Sequence, residues 1–358
     1  MELAIIGLEK AGKSTLFRAL AAGHAPEEER RGQRLAAVPV PDERLERLAA
    51  LLQPRKVTRP EALLHDLPPW PAGGRPPSPE AATAMARADA FLLVLRAFQR
   101  QDVPHPLGSV DPERDLQTVS LEMAYHDLAI LERRLEKLET TARTARPGER
   151  ELAQREQRLL ARAREALEAE RPLREEGFSA EELKQLANYN LLTLRPLLVV
   201  VNLDEADAER SAEIAREFRA RHAAPGVEFA ALSARLEAEL AELSPEEAAT
   251  FRSALKATGD GPQRLLAQAR ELLRLVTFYT VVRDECRAWL LPEGGTALDA
   301  AAKIHSDMAR GFVRAEVIPW DRLLKLGSFA QARAQGALRS EGKGYPVQDG
   351  DVLHILFH

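Results

Sequence analysis

The chain has 358 residues, too many for one compact core, so two or three separately packed units are expected. A formal net charge of -5 excludes an overall basic field that would draw the molecule onto nucleic acid, and DNA is not an expected partner; RNA contact would need a local patch. The single cysteine, Cys286, excludes an internal disulfide and reads as a small buried hydrophobe in a reducing compartment.

The first strand-like run, ELAII at 2–6, leads into GLEKAGKS at Gly7–Ser14 and then the amphipathic KSTLFRALAAG. Strand, glycine loop and helix in that order are the context in which G-x-x-x-x-G-K-[ST] binds phosphate. Gly7 and Gly12 let the backbone curl, so that N–H groups along Glu9, Lys10, Ala11, Gly12 and Lys13 can face phosphate oxygens. The start of the helix at Ser14 and Thr15 adds its positive end. Lys13 would reach the β and γ oxygens, and the Ser14 hydroxyl would ligate Mg²⁺. A second carboxylate near the metal belongs at the end of a neighbouring strand. PEALLHD ends on Asp66 at such a place, but Pro68 and Pro69 follow directly.

AFLLVLRAF (90–98) is the next strand-like run. From about Leu121 the pattern changes, with Ala124, Leu128, Leu131, Leu135 and Leu138 forming a coiled-coil seam. TARPGER breaks it, and a second charged helix over 149–169 completes an antiparallel hairpin. RPLLVVVNL (195–203) and VEFAALS (227–233) then resume the sheet, which is expected to be mostly parallel. Asn202 and Glu205, with Ser233 and Ala234 after the following strand, are placed to read a base. Glu205 is one methylene longer than the aspartate that reads guanine, so either ATP or GTP fits. The last block opens with VTFYTVV, runs through one helix at ALDAAAKIHSDMARGF and the strand VRAEVIPW, and turns at QDGD into a terminal strand. His305 in that helix reads as a packing or capping residue. The expected class is α/β: a P-loop domain over 1–120 and 190–275, a coiled-coil insertion over 121–189, and a small α+β domain over 276–358.

No apolar run approaches the roughly 20 residues that span a bilayer, and the start MELAII lacks the basic flank and cleavage site of a signal peptide. A cytoplasmic monomer without a membrane partner is the expectation.

GLEKAGKSTLF, VPVPDERLERLAALLQP, NLDE, SARLEAEL and especially GTALDAAAKIHSDMARGFVRAEVI with EGKGYPVQDGDVLH make the chain resemble the YchF, or Obg-like, P-loop ATPases. The resemblance covers nearly the whole chain. It implies a P-loop ATPase with relaxed or adenine-leaning base choice, Mg²⁺ and purine nucleotide as ligands, a coiled-coil insertion, a β-grasp TGS domain at the C-terminus, and association with the ribosome. It also implies that Phe98 and Leu203 flank the base, that Asn202 hydrogen-bonds its edge, and that His105 is a mobile catalytic histidine working with Lys13.

Three departures from the family pattern matter. The family's D-x-A-G is Asp66, Leu67, Pro68 and Pro69 here, and proline lacks the N–H that would reach the γ-phosphate. The switch threonine falls on Arg30, within the charged stretch HAPEEERRGQR, and the family's phosphate-loop asparagine is Lys10. Weakened coupling between nucleotide state and shape is therefore expected, with slow hydrolysis. The alternative is a non-hydrolysing scaffold that grips RNA or the ribosome through the hairpin and the C-terminal domain. Arg310, Arg314, Lys325, Arg333, Arg339 and Lys343 are the candidate basic patch for it.

Overall fold

The computed structural model describes residues 1–21, 28–30, 33–70, 77–144, 146–254, 261–282 and 284–358. Its strands in chain order are β1 (Glu2–Ile6), β2 (Glu28–Arg30), β3 (Gln33–Pro39), β4 (Lys56–Thr58), β5 (Glu61–Asp66), β6 (Ala90–Arg96), β7 (Leu197–Asn202), β8 (Val227–Leu232), β9 (Leu275–Val282), β10 (Glu285–Pro292), β11 (Phe312–Pro319), β12 (Arg339–Glu341) and β13 (Asp351–Phe357). They form two sheets.

The first sheet has the order β2-β3-β5-β1-β6-β7-β8. From β5 to β8 the pairing is parallel, with Ile5 beside Asp66 and Leu92, and Arg96 beside Asn202. β6 and β7 are buried at every position, which explains their unbroken apolar sequence: a parallel strand covered on both faces has no polar side to alternate with. Ile6, Asp66, Arg96, Asn202 and Leu232 therefore all end strands at one edge, where open α/β sheets bind ligands.

Helices Pro112–Thr144 and Pro147–Glu168 are inserted between β6 and β7. Leu131, Leu135 and Leu138 pack with Leu160, Ala163 and Leu167, as the seam requires, and Ala124 and Leu128 lie against them. The first helix begins well before 121, because Leu116, Val119 and Met123 are first buried in the core of the sheet domain. Asp127 anchors the hairpin. It is fully buried and accepts from Leu192 N–H (2.8 Å), Thr193 N–H (2.8 Å) and Thr193 Oγ1 (2.6 Å), just ahead of β7.

The second sheet has the order β12-β11-β13-β9-β10-β4. It contains a strand from the first sixty residues, because β4 pairs in parallel with β10. Residues Val38–Ala62 thus group with Leu266–His358, whereas 1–120 was expected to belong to the P-loop domain and 276 to begin the last one. An ion-pair network holds the segment there. Arg44 donates through Nε and Nη2 to both Asp42 oxygens (3.1 and 2.9 Å) and through Nη1 to Asp349 (2.5 Å), while Tyr279 Oη donates to Asp42 (2.9 Å). Leu45 and Leu48 are buried in one cluster with Tyr279, Ile318 and Cys286. Burial pushes the Cys286 thiol up to about 11, so it is an inert hydrophobe at neutral pH.

The single helix expected over ALDAAAKIHSDMARGF is two helices, Ala297–Ile304 and Ser306–Arg310. His305 between them is extended (φ -163°, ψ 140°), and its Nδ1 accepts from Asp307 N–H at 3.1 Å, so it caps the second helix. Among the described residues no helix is long and apolar enough to cross a membrane.

Burial opposes ionisation of Asp42, but the Arg44 and Tyr279 hydrogen bonds together with the Arg44 charge outweigh it and hold the carboxyl below its ordinary 3.8. A depressed carboxyl stabilises the fold above the unfolded-state pKa and loses that contribution as pH falls through the folded value. Asp42→Asn is expected to cost on the order of 2–3 kcal/mol in urea unfolding at pH 7, because Arg44 loses its buried partner. The difference from wild type should shrink as pH falls below the ordinary aspartate range.

Candidate nucleotide site

The loop after β1 is shaped by its two glycines. Gly7 has φ +144°, and a Cβ there would lie 2.5 Å from the Val94 carbonyl oxygen; Gly12 has φ +98°, and a Cβ would lie 2.1 Å from Asn202 Nδ2. Only glycine fits either place. Lys10 also lies in the left-handed region (φ 61°), with its ammonium exposed 4.0 Å from Glu9. The Lys13 side chain is buried and folds back over the loop, donating to Gly7 O (3.1 Å) and Leu8 O (2.9 Å). Burial lowers its pKa to about 8, partly offset by the charges of Asp66 and Glu9. An ammonium destabilised in this way gains most from an arriving anion.

A cavity of about 380 Å³ opens here, lined by Lys10, Gly12, Lys13, Ser14 and Thr15 from the loop and helix, by Asp66 to Pro69 after β5, and by Arg34 from β3. The loop after Asp66 is pinned to the phosphate loop: Leu67 N–H donates to Ile5 O (3.4 Å) and Trp70 N–H to Gly7 O (3.0 Å). Pro68 and Pro69 form wall without a backbone donor. Residues 71–74 of the same glycine-containing stretch lie outside the described residues.

A second cavity of about 660 Å³ shares Lys10, Gly12 and Thr15 with the first and is lined further by Phe98, Asn202, Leu203, Glu205 and Ser233. Asn202 joins the two. Its Nδ2 donates to Ala11 O and its Oδ1 accepts from Ala234 N–H, both at 2.9 Å. Ser233 caps the helix Ala234–Leu240 through Leu236 N–H at 3.4 Å. Glu205 is ion-paired with Arg235 at 3.1 Å. Phe98 lies under the Arg96 guanidinium (4.5 Å), and buried Arg96 ties down the loop by donating to Phe98 O (3.2 Å) and Val103 O (2.7 Å).

Two cavities that share Lys10, Gly12 and Thr15, one lined by the glycine loop and the other by Phe98, Asn202 and Ser233, suit the phosphates and the base of a nucleotide. Comparisons with known proteins agree. Residues 275–358 match the family model YchF-GTPase_C, described as a protein of unknown function (DUF933). The chain is 34% identical to the ribosome-binding ATPase YchF of Bacillus subtilis (strain 168), over 99% of this chain and 98% of that protein. The chain belongs to the YchF family. It is also 29% identical to Obg-like ATPase 1 of Oryza sativa subsp. japonica, over 100% of this chain and 92% of that one. The solved structure of the Schizosaccharomyces pombe YchF GTPase is similar at a TM-score of 0.85 and 26% identity, covering 99% of this chain and 97% of that chain.

Within this YchF-family chain, Lys10, Gly12, Lys13, Ser14, Thr15 and Asp66 come together around the first cavity, and Phe98, Asn202, Leu203, Glu205 and Ser233 around the second. Gly7, Glu9, Ala11 and Ala234 do not line either. Gly7, Ala11 and Ala234 instead hold Lys13 and Asn202 in place. His105 is also outside both linings. Its Nδ1 accepts from Leu107 N–H (3.1 Å), which leaves the proton on Nε2, directed at Asp115 (2.9 Å), and the side chain is 2% exposed. Both ring nitrogens are engaged in this state. Arg34 is a lining residue of the first cavity that the sequence did not suggest; it stands at the end of a charge run. In the C-terminal unit, Arg310, Lys325, Arg333 and Arg339 pair with Asp307, Asp321, Glu316 and Glu341, so four of the six candidate basic residues face their own acids rather than a free surface.

An anion that contacts Lys13 should restore its proton. Calorimetric titration of ATP at pH 8.5 in buffers of differing ionisation heat is expected to show uptake of a fraction of a proton, and the uptake should vanish near pH 6.5, where Lys13 is already charged.

Proposed function

We propose that the chain is a purine-nucleotide-binding P-loop NTPase of the YchF type, slow in turnover and acting in association with the ribosome. The observation that carries this reading is the Asn202 bridge, which fixes the Gly12 turn of the phosphate cavity against the base cavity at 2.9 Å on each side. The names of the bacterial relatives describe those proteins as ribosome-binding ATPases, which supports the same role here.

ATP and GTP both fit. Guanine selection needs a carboxylate free to accept two ring N–H groups, and Glu205 shares its charge with Arg235. Adenine makes no such demand. Ser14 and Asp66 suit Mg²⁺ held largely by phosphate and water, as that ion prefers, and among the described residues no group of three or more His, Cys, Asp or Glu makes a self-sufficient metal site. The ion would supply charge neutralisation at the phosphates. Lys13 would bind the β and γ oxygens, the loop amides would fix the chain of phosphates, and Pro68 and Pro69 line the cavity without donating.

Slow hydrolysis follows from two features: the wall after Asp66 offers no N–H at Pro68 or Pro69, and His105 must leave Asp115 before it can orient a water. The same lock favours the second reading, a nucleotide-binding scaffold that does not hydrolyse and works through ribosome or RNA contact. Single-turnover measurement with ATP separates the two. The NTPase reading expects a slow but saturable rate that rises in Pro69→Gly. No hydrolysis in either protein favours the scaffold, and rapid turnover in wild type contradicts both. Lys13→Ala should weaken nucleotide binding roughly tenfold or more, the scale of one charge-assisted contact. Ribosome co-sedimentation of the same variant then shows whether association needs nucleotide.

A further inference from the structure

Arg34 reaches the phosphate cavity from β3, in company with Lys13, Ser14, Asp66 and the two prolines. Its place on the strand is unusual for a guanidinium. Residues two apart share a face of a strand, and Arg34 is followed on its face by Ala36 and Val38, which are 2% and 0% exposed. Arg34 thus lies on the inward-facing register, and it is only partly exposed itself. Among the described residues it forms no ion pair or side-chain hydrogen bond. Arg44 and Arg96, by contrast, are held: Arg44 by Asp42 and Asp349, and Arg96 by the carbonyls of Phe98 and Val103. A partly buried guanidinium without a partner, aimed into a cavity that already holds a buried ammonium, is a receptor for a tetrahedral oxyanion.

Among the described residues that line this cavity, Pro68 and Pro69 offer a terminal phosphate no backbone donor. We propose that Arg34 is the specificity-determining ligand of the terminal phosphate of a bound nucleoside triphosphate, and that it supplies a preference for triphosphate over diphosphate that needs neither loop closure nor a divalent cation. This rests on the nucleotide reading above and deepens it. Lys13 and the loop amides would bind any nucleotide with a β-phosphate, whereas Arg34, on a strand rather than on the phosphate loop, tests for one phosphate more. The chemistry is that of a fork of N–H donors against two phosphate oxygens; lysine could match its charge but not its geometry.

The test is calorimetric titration of ATP and ADP, each with Mg²⁺ and with EDTA, against the full-length wild type, Arg34→Gln and Arg34→Lys. Wild type should prefer ATP in both conditions. Arg34→Gln should lose roughly tenfold or more in ATP affinity, the scale of a charge-assisted hydrogen bond, with ADP affinity changed by less than about threefold. Retained ADP binding shows that the variant is folded and its phosphate loop intact. Arg34→Lys should recover part of the loss. An ATP-to-ADP ratio unchanged in Arg34→Gln, or equal losses for both nucleotides, overturns the assignment of Arg34 while leaving the nucleotide site standing. Failure of wild type to bind either nucleotide overturns the site itself and Arg34 with it.

Discussion

Asn202 holds the phosphate loop by one end of its carboxamide and the helix Ala234–Leu240 by the other. Gly12 must be glycine for that amide to come so close, because any Cβ would fall 2.1 Å from Nδ2. β7 must end at Asn202 in parallel register with β6, or the amide would not meet Ala11 at all. The two cavities are in this sense one site, and the buried sheet beneath them exists to hold one side chain between a turn and a helix. Removing either hydrogen bond would leave a buried polar group unsatisfied, at a cost of about 1–3 kcal/mol.

The charges around the site divide into fixed and movable sets. Lys13 is buried and folded onto its own loop, Arg34 is carried by a strand, and Arg96 pins the loop that bears Phe98. The wall that a switching protein would move is instead tied down at both ends, by Leu67 to β1 and by Trp70 to Gly7, and stiffened by two prolines between. A rigid wall with charges on strands suits recognition of nucleotide better than rapid conversion of it. Flexible glycine loops close and spring away with the γ-phosphate; at Pro68 and Pro69 this wall has neither a glycine nor a backbone donor.

What could be read from sequence was local. The strand, glycine loop and helix around Gly7–Ser14 occupy one stretch of chain, and the seam of Leu131, Leu135 and Leu138 repeats within one helix, so spacing alone exposes them. Most residues that line the second cavity lie at or just past a strand end, which is a local feature of the same kind. What escaped was carried by distant partners. Val38–Ala62 belongs with the C-terminal strands because Arg44 meets Asp349, 305 positions away, and no periodicity encodes that. Asp127 is one of many charged residues on the hairpin, and its anchoring role depends on Leu192 and Thr193, 65 and 66 positions away. Arg34 sat beside a run of charges and was indistinguishable from a solvated side chain. The break at His305 depends on an imidazole accepting from Asp307 N–H, a contact that helical spacing does not reveal.

The central claim is that the Gly7–Ser14 loop and the Asn202 pocket together bind a purine nucleotide. Direct titration of ATP and of GTP into the wild-type protein and into Gly12→Ala, with folding verified by thermal melting, tests it most simply. Saturable one-site binding of at least one triphosphate in wild type, lost in a folded Gly12→Ala, is the result the account predicts. No heat from either triphosphate at millimolar concentration in well-folded wild type would contradict it.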